Sequence, residues 1–183
     1  MCVNKLRLGG LPALRRCRIA FRVQGAGDRA FLHLSEASFD RQRNSLHELT
    51  LQGISRNIHV LNLGWHLVTL PALRCLAIQN LGVTNLNWLE SSWESPPAAP
   101  VHSLSLDDNA GLQLNAKAAA ALLNMTALRK LSMRKRVGHS YTIGNSFAGH
   151  GGSVPWWAAV WTADSVRCIA RVVAARPALQ LCF

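Results

Sequence analysis

Residues Val101 to Asn109 read VHSLSLDDN, and this wording decides the fold. Leu104 and Leu106 alternate with Ser103, Ser105 and Asp107. Successive side chains of an extended chain point to opposite sides, so period-two alternation marks a strand with one buried face. Leu104 and Leu106 should face inward, and the three polar residues outward. Substituting Leu104→Asp should then unfold the chain, by burying an unpaired charge, while Ser105→Asp should be nearly silent.

The same spacing recurs along the chain. Leu11 to Ile19 reads LPALRRCRI, Leu70 to Ile78 reads LPALRCLAI, and Met125 to Met133 reads MTALRKLSM. A further copy begins at Arg176 as RPALQLCF, and Leu46, Leu49 and Leu51 keep the apolar spacing without the wording. Written as LxxLxLxxN, the pattern has its first apolar position at Leu14, Leu46, Leu73, Val101, Leu128 and Leu179, at steps of 32, 27, 28, 27 and 51 residues. The long last step leaves room for one degenerate copy, with Val154 and Trp157 at its apolar positions. One such unit cannot bury its own Leu face. Stacked neighbours close a continuous core, which is the logic of a repeat array.

These segments resemble the leucine-rich repeat family, in its ribonuclease-inhibitor-like class with 27–28 residue repeats. The resemblance covers most of residues 11–183 and is firmest over 46–136. It implies an α/β leucine-rich repeat solenoid, with a curved parallel β-sheet on the concave side and helices and irregular loops on the convex side. The expected organisation is a single domain over 1–183 with six to seven irregular repeats. Its strands should lie near 14–20, 46–52, 73–79, 101–107, 128–134, 154–160 and 179–183. In this family the Asn at the ninth position typically bonds backbone groups of the neighbouring turn. Asn109 fills it, whereas Arg22, Ile54, Leu81 and Arg136 stand there in other copies, which implies irregular turns. The last copy stops at Phe183 with no polar cap, so the expectation is a chain truncated at its C-terminus, or a dimer or longer array that covers the open end.

Between the strands, Asn115 to Asn124 (NAKAAAALLN) is helical by propensity with Asn115 as cap. Val166 to Ala175 places Val166, Ile169, Ala170 and Val173 on one helical face. Leu86, Leu89 and Trp93 suit a short return helix. Ile58, Leu61 and Leu63 also fit the strand wording but lie only 12 residues after Leu46. They are assigned, with Trp65, to a convex return helix. The phase of Phe31, Leu32, Leu34 and Phe39 stays open, and residues 138–153, rich in Gly and Ser, read as a loop.

Charge and cysteine usage bound the function. The net charge is +11, carried by sixteen Arg and four Lys against nine acids. Such a surplus favours contact with nucleic acid or anionic surfaces, although coding bias toward Arg would look the same. The densest clusters are Arg15, Arg16, Arg18 and Arg22, then Arg129 to Arg136. Five cysteines, Cys2, Cys17, Cys75, Cys168 and Cys182, include no CxxC pair, which points away from a disulfide framework or a zinc site. A reducing, intracellular and cytoplasmic setting follows, with a mitochondrial presequence in the basic first 27 residues as the lesser reading. No apolar run is long enough for a transmembrane segment, since Asp164, Arg167 and Arg171 interrupt Val154 to Ala175.

Catalytic wording is weak. Gly144 to Gly152 (GNSFAGHGG) lacks the GK[ST] ending of a phosphate loop. His59 and His66 would share a helical face, but no Cys or acid completes a metal set. Asp107 and Asp108 suit a turn or a partner contact better than an acid–base pair. Trp156, Trp157 and Trp161 would fill the degenerate copy or anchor a partner. The expectation is no enzyme, no cofactor and no metal.

The outward positions three, five and seven of the stacked copies form the candidate partner-binding surface. They include Arg16, Arg18, Glu48, Gln52, Gln79, Ser103, Ser105, Asp107, Lys130 and Arg134. The leading reading is a non-catalytic protein–protein interaction module that binds its partner on the concave face. The alternatives are a basic RNA- or nucleic-acid-binding protein working through the Arg clusters, an enzyme with its site in 138–165, and a non-functional fragment of a longer repeat protein.

Overall fold

The computed structural model describes residues 2–3, 13–22, 30–33, 39–54, 58–62, 67–68, 70–89, 100–109, 111–134 and 161–183. The fold is α/β. Nine strands and two α-helices follow one another among these residues: β1 (Cys2–Val3), β2 (Arg16–Phe21), β3 (Ala30–His33), β4 (Glu48–Gly53), β5 (Ile58–Asn62), β6 (Cys75–Gln79), β7 (Ser103–Ser105), α1 (Ala116–Asn124), β8 (Lys130–Ser132), α2 (Ala163–Ala175) and β9 (Gln180–Cys182). Six strands form one open, all-parallel sheet in the order β2-β4-β6-β7-β8-β9. A second parallel sheet has the order β1-β3-β5.

Strict alternation explains the larger sheet. Leu49, Leu51, Leu76, Ile78, Leu104, Leu106, Leu131 and Met133 are buried in one apolar core. They share it with the first apolar positions Leu46, Leu73, Val101 and Leu128. Each such Leu withdrawn from water contributes about 1.5–3 kcal/mol before ordering costs. The register runs straight across: Leu49 pairs with Leu76, Leu76 with Leu104, and Leu104 with Leu131.

The repeated PAL wording is a turn, not the start of a strand. The Leu73 N–H donates to the Leu70 carbonyl at 3.0 Å, so Pro71 sits where its fixed φ suits a β-turn. Leu179 bonds Arg176 in the same way at 3.0 Å, and Leu128 bonds Met125 at 2.9 Å. Each strand of these copies begins only after that turn. In the last copy one residue fewer separates turn from strand. Leu131 therefore pairs with Leu181, and Ser132 with Cys182. Counting from Leu179 as the first apolar position would have matched Leu131 to Cys182, so the sequence register of this copy is off by one. The degenerate copy expected at 154–160 lies outside the described residues.

Ile58 and Leu61 were expected in a convex helix with Leu63 and Trp65, yet Ile58–Asn62 is strand β5, paired with β3, and Leu63 and Trp65 lie outside the described residues. β-branched Ile58 and Val60 favour extended backbone, and β3 offers parallel partners 28 residues earlier, Ala30 opposite Ile58. His59 is therefore in a strand and not on the helix expected for it, and His66 lies outside the described residues. Phe31 and Leu32 belong to β3, while Phe39 enters the core. The short return helix expected around Leu86 and Leu89 is a single 3-10 turn, Asn87–Leu89, with Leu86 and Leu89 buried. Trp93 lies outside the described residues.

The two α-helices follow the larger sheet's last crossovers. α1 begins at its expected cap, where the Asn115 side chain accepts from the Ala118 N–H at 2.7 Å. α2 starts three residues earlier than expected, because Thr162 caps it by accepting from the Ser165 N–H at 3.2 Å. The buried stripe of α2 is also rotated. Ser165 and Val172 are buried, with Cys168 and Ile169 half-buried, whereas Val166 is 53% and Val173 38% exposed. Ser165 explains the rotation. Its hydroxyl donates to the Leu114 carbonyl (3.2 Å) or Gln113 Oε1 (3.0 Å) and accepts from the Leu114 N–H (2.9 Å), which turns that side of α2 inward.

At the trailing end of the sheet the backbone packs closely. A Cβ on Gly53 would lie 2.0 Å from the Asn80 carbonyl oxygen, so only glycine allows this approach. Asn80 (φ 50°) and Asp108 (φ 61°) both take left-handed conformations one residue before the ninth position, a geometry that Asn and Asp tolerate. Among the described residues no helix is long and apolar enough to cross a membrane.

Candidate interaction surface

The face of the larger sheet opposite its core carries rows of side chains fixed by the register. The first row is Arg16, Glu48, Cys75, Ser103, Lys130 and Gln180. The second is Arg18, Thr50, Ala77, Ser105, Ser132 and Cys182. A third begins with Ala20, Gln52 and Gln79. Eight of the ten expected site residues lie in these rows, while Asp107 and Arg134 follow the ends of β7 and β8, and the ten differ in how far each is already engaged.

At the β2 edge, Arg16 pairs with Glu48 at 3.1 Å, and Arg18 donates to Gln52 Oε1 at 2.5 Å. The arginine cluster is thus partly neutralised by its neighbour strand. In the middle, Gln79 Nε2 donates to Ser105 Oγ at 3.3 Å. Asp107 is an internal knot. Its carboxylate accepts from Ser105 Oγ at 2.9 Å, from Ser132 Oγ at 2.7 Å and from the Arg134 N–H at 2.8 Å. It was expected to offer its charge to a partner, and instead it fastens β7 to the β8 copy. Asp108 supplies the left-handed turn beside it. Ser103 and Lys130 stand side by side in the first row, and Lys130 and Arg134 are exposed.

The floor between these flanks is built of small residues: Cys75, Ala77, Ser103, Ser105 and Ser132. Such a floor lets another backbone approach closely. The Cys75 thiol is exposed, and its pKa is raised, first by burial and then by the Glu48 carboxylate, against the pull of Arg16 and Lys130. Burial also raises the Cys17 thiol on the core side of β2.

The sequence reading named Arg15 and Arg129 within the arginine clusters but did not align position two of the copies into a column. Its residues precede the strands and form a ladder of shared carbonyls. The Arg15 carbonyl accepts from the His47 and Glu48 N–H groups, and the His47 carbonyl from those of Arg74 and Cys75. The Arg74 carbonyl accepts from the His102 and Ser103 N–H groups, and the His102 carbonyl from those of Arg129 and Lys130, all at 2.7–3.0 Å. This stacks Arg15, His47, Arg74, His102 and Arg129 in one column along the leading edge of the sheet. Reading position two down the aligned copies would have found it, but it adjoins the buried first Leu and belongs to neither alternating face.

Two further residues hold the scaffold. Asn109, 1% exposed, donates Nδ2 to the Ile78 carbonyl at 2.7 Å and the Leu106 carbonyl at 2.9 Å. Its Oδ1 accepts from the Leu81 and Val83 N–H groups at 3.1 Å each. In the preceding copy, Asn80, one place earlier, donates Nδ2 to the Gly53 carbonyl at 2.8 Å. Arg176 donates to the carbonyls of Leu122, Met125, Thr126 and Leu128, at 2.6–3.2 Å, around the end of α1.

Of the three tryptophans, Trp161 packs against the core and meets Phe183 edge-on, with centroids 6.2 Å apart. Trp156, Trp157 and Gly144 to Gly152 lie outside the described residues. Among the described residues no group of three or more His, Cys, Asp or Glu side chains could hold a metal ion. No family model, no curated protein and no solved structure matches this chain.

Proposed function

We propose that the chain is a leucine-rich repeat module that binds another protein on the solvent-facing side of its six-stranded sheet. The observation that carries this reading is Asn109. From the ninth position of its copy it bonds the backbone of the neighbouring turn, the role that Asn has in that family. The all-parallel strands at 27–28 residue steps over β4 to β8 support it too. So does the floor of small residues flanked by charge, where a partner backbone can lie close while Arg and Lys select it. The function is binding rather than catalysis, in a single repeat domain. The reading includes an intracellular, cytoplasmic setting, which the free thiols of Cys17, Cys75, Cys168 and Cys182 favour.

Nucleic acid is the second reading, favoured by the +11 charge. The test is affinity capture with the tagged full chain at moderate salt, with and without nuclease, beside the variant Ala77→Trp. Ala77 sits mid-floor, half-buried, so an indole there blocks the face. Discrete proteins that survive nuclease and vanish with Ala77→Trp support the module. Capture that nuclease abolishes moves the reading to RNA. Capture indifferent to Ala77→Trp removes the sheet face as the site.

A further inference from the structure

The leading-edge column carries cations at every second strand. Arg15, Arg74 and Arg129 alternate with His47 and His102 in hydrogen-bonded register. Neighbouring strands are about 4.8 Å apart, so the three arginines recur at about 10 Å and span about 20 Å. Arg16 and Lys130 stand beside the column in the first row. Glu48 is the only acid of that row or column, and Arg16 already pairs with it. No carboxylate of a described residue forms an ion pair with Arg15, Arg74, Arg129 or Lys130. Arg15 and Arg129 are exposed, and Arg74 is partly so, one of its amino groups donating to the Pro71 and Leu73 carbonyls. The His47 Nδ1 donates to the Ser45 carbonyl at 2.6 Å, which holds its ring in one tautomer with Nε2 free of that bond.

We propose that this column binds an acidic segment of the partner protein, laid in extended form across the leading edge of the sheet. The proposal rests on the protein-interaction reading and names the chemistry of the partner. Guanidinium groups at a fixed spacing match carboxylates bidentately, which lysines do not. An extended segment of about six residues covers the span of the three arginines. A single-stranded nucleic acid would use the same charges, but it also needs aromatic platforms for its bases. Position two and the rows of the solvent-facing side hold no Phe, Tyr or Trp among the described residues. That favours carboxylates over phosphates.

The experiment is fluorescence anisotropy with the full chain and a labelled peptide of alternating Glu and Ser, twelve residues long. A Lys–Ser peptide and an oligouridine of equal charge serve as comparisons. The acidic peptide should bind, weaken as salt rises, and lose about tenfold or more in affinity with Arg15→Ala/Arg129→Ala. Both positions are exposed, so the melting curve of that variant should match the wild type, and Arg74→Ala should weaken binding in the same direction. No binding of the acidic peptide at low salt overturns the proposal, as does equal binding by the double variant. Tighter binding of oligouridine than of the peptide overturns it in favour of nucleic acid. A protein captured from lysate that is lost with Ala77→Trp but kept by Arg15→Ala/Arg129→Ala overturns only the acidic column. One kept by both variants overturns the sheet-face reading as well.

Discussion

Asn109 holds Ile78, a residue of the preceding copy, by donating Nδ2 to its carbonyl at 2.7 Å, while both amide atoms of Asn109 are buried with it. The same side chain accepts from the Leu81 and Val83 N–H groups, so one residue satisfies a whole turn of irregular backbone that no strand pairing serves. Asn109→Leu fills the space but leaves two donors and two carbonyls without this partner. Each such group costs about 1–3 kcal/mol, so the variant should lose about 4 kcal/mol or more. Asn109→Asp keeps the acceptor but removes the donation to Ile78 and Leu106, and should lose stability as well. Urea denaturation followed by far-ultraviolet circular dichroism measures both. A midpoint within error of wild type for Asn109→Leu would show that the turn satisfies itself without this side chain.

Leu104 and Ser105 occupy opposite faces of one three-residue strand. Leu104→Asp buries an unpaired carboxylate at a fully dry position and should cost about 3–5 kcal/mol, enough to unfold a marginal domain. Ser105→Ala should stay within about 1 kcal/mol of wild type. Ser105→Asp, silent on sequence grounds, is no longer expected to be so. Ser105 Oγ donates to Asp107 Oδ2 at 2.9 Å, and a second carboxylate there would face the first. Thermal melts of the three variants should rank Ser105→Ala above Ser105→Asp, and both above Leu104→Asp. Equal loss in Ser105→Ala and Leu104→Asp would put the strand in the wrong phase.

The legible parts of the chain were those where one period had no rival. Leu104 and Leu106 alternate with serines and an aspartate, so their faces could be read directly, and eight of the ten expected surface residues fall in the rows of one sheet. Ile58 and Leu61 were misread because a short apolar run fits a strand and a helix alike. What decided it was a partner, β3, whose own phase the sequence left open. The last copy slipped by one residue because the PAL wording belongs to a turn, and a turn can be followed by a strand one residue sooner without losing its bond. α2 was rotated for a similar reason. Its polar Ser165 is more deeply buried than Val166, since the inward position was set by hydrogen bonds to Gln113 and Leu114 rather than by hydropathy.

Arg176 joins the end of α1 to the turn before β8, with its guanidinium against four carbonyls. The last carbonyls of a helix have no intrahelical donors, and a cation is favourable there. Burial, and then the nearby Arg129, lower the Arg176 pKa, but an arginine keeps its charge throughout the accessible range. Arg176→Ala should therefore destabilise the chain by about 1–3 kcal/mol. Arg176→Lys should recover only part of this, since one ammonium cannot reach four acceptors on two elements. Chemical denaturation of the two variants decides it. Full rescue by Lys would mean that charge alone, and not the fork of donors, matters at this site.

The thiol of Cys75 reports on the charges around the first row. It is held up by burial and by Glu48, and pulled down by Arg16 and Lys130. Alkylation proceeds through the thiolate, so a raised pKa slows it at neutral pH. Glu48→Gln removes a charge that raises the pKa and also releases Arg16 from its ion pair, so both effects lower it. The thiolate fraction at a fixed pH then grows, and the rate–pH profile of iodoacetamide labelling at Cys75 should move to lower pH. Lys130→Gln removes a charge that lowers the pKa, so its profile should move to higher pH. Peptide-resolved mass spectrometry separates Cys75 from the other thiols. Shifts of opposite sign in the two variants would establish that Glu48 and Lys130 both act on the space above Cys75, where a partner backbone would lie. Identical profiles would mean that these charges point away from the floor and take no part in what is bound there.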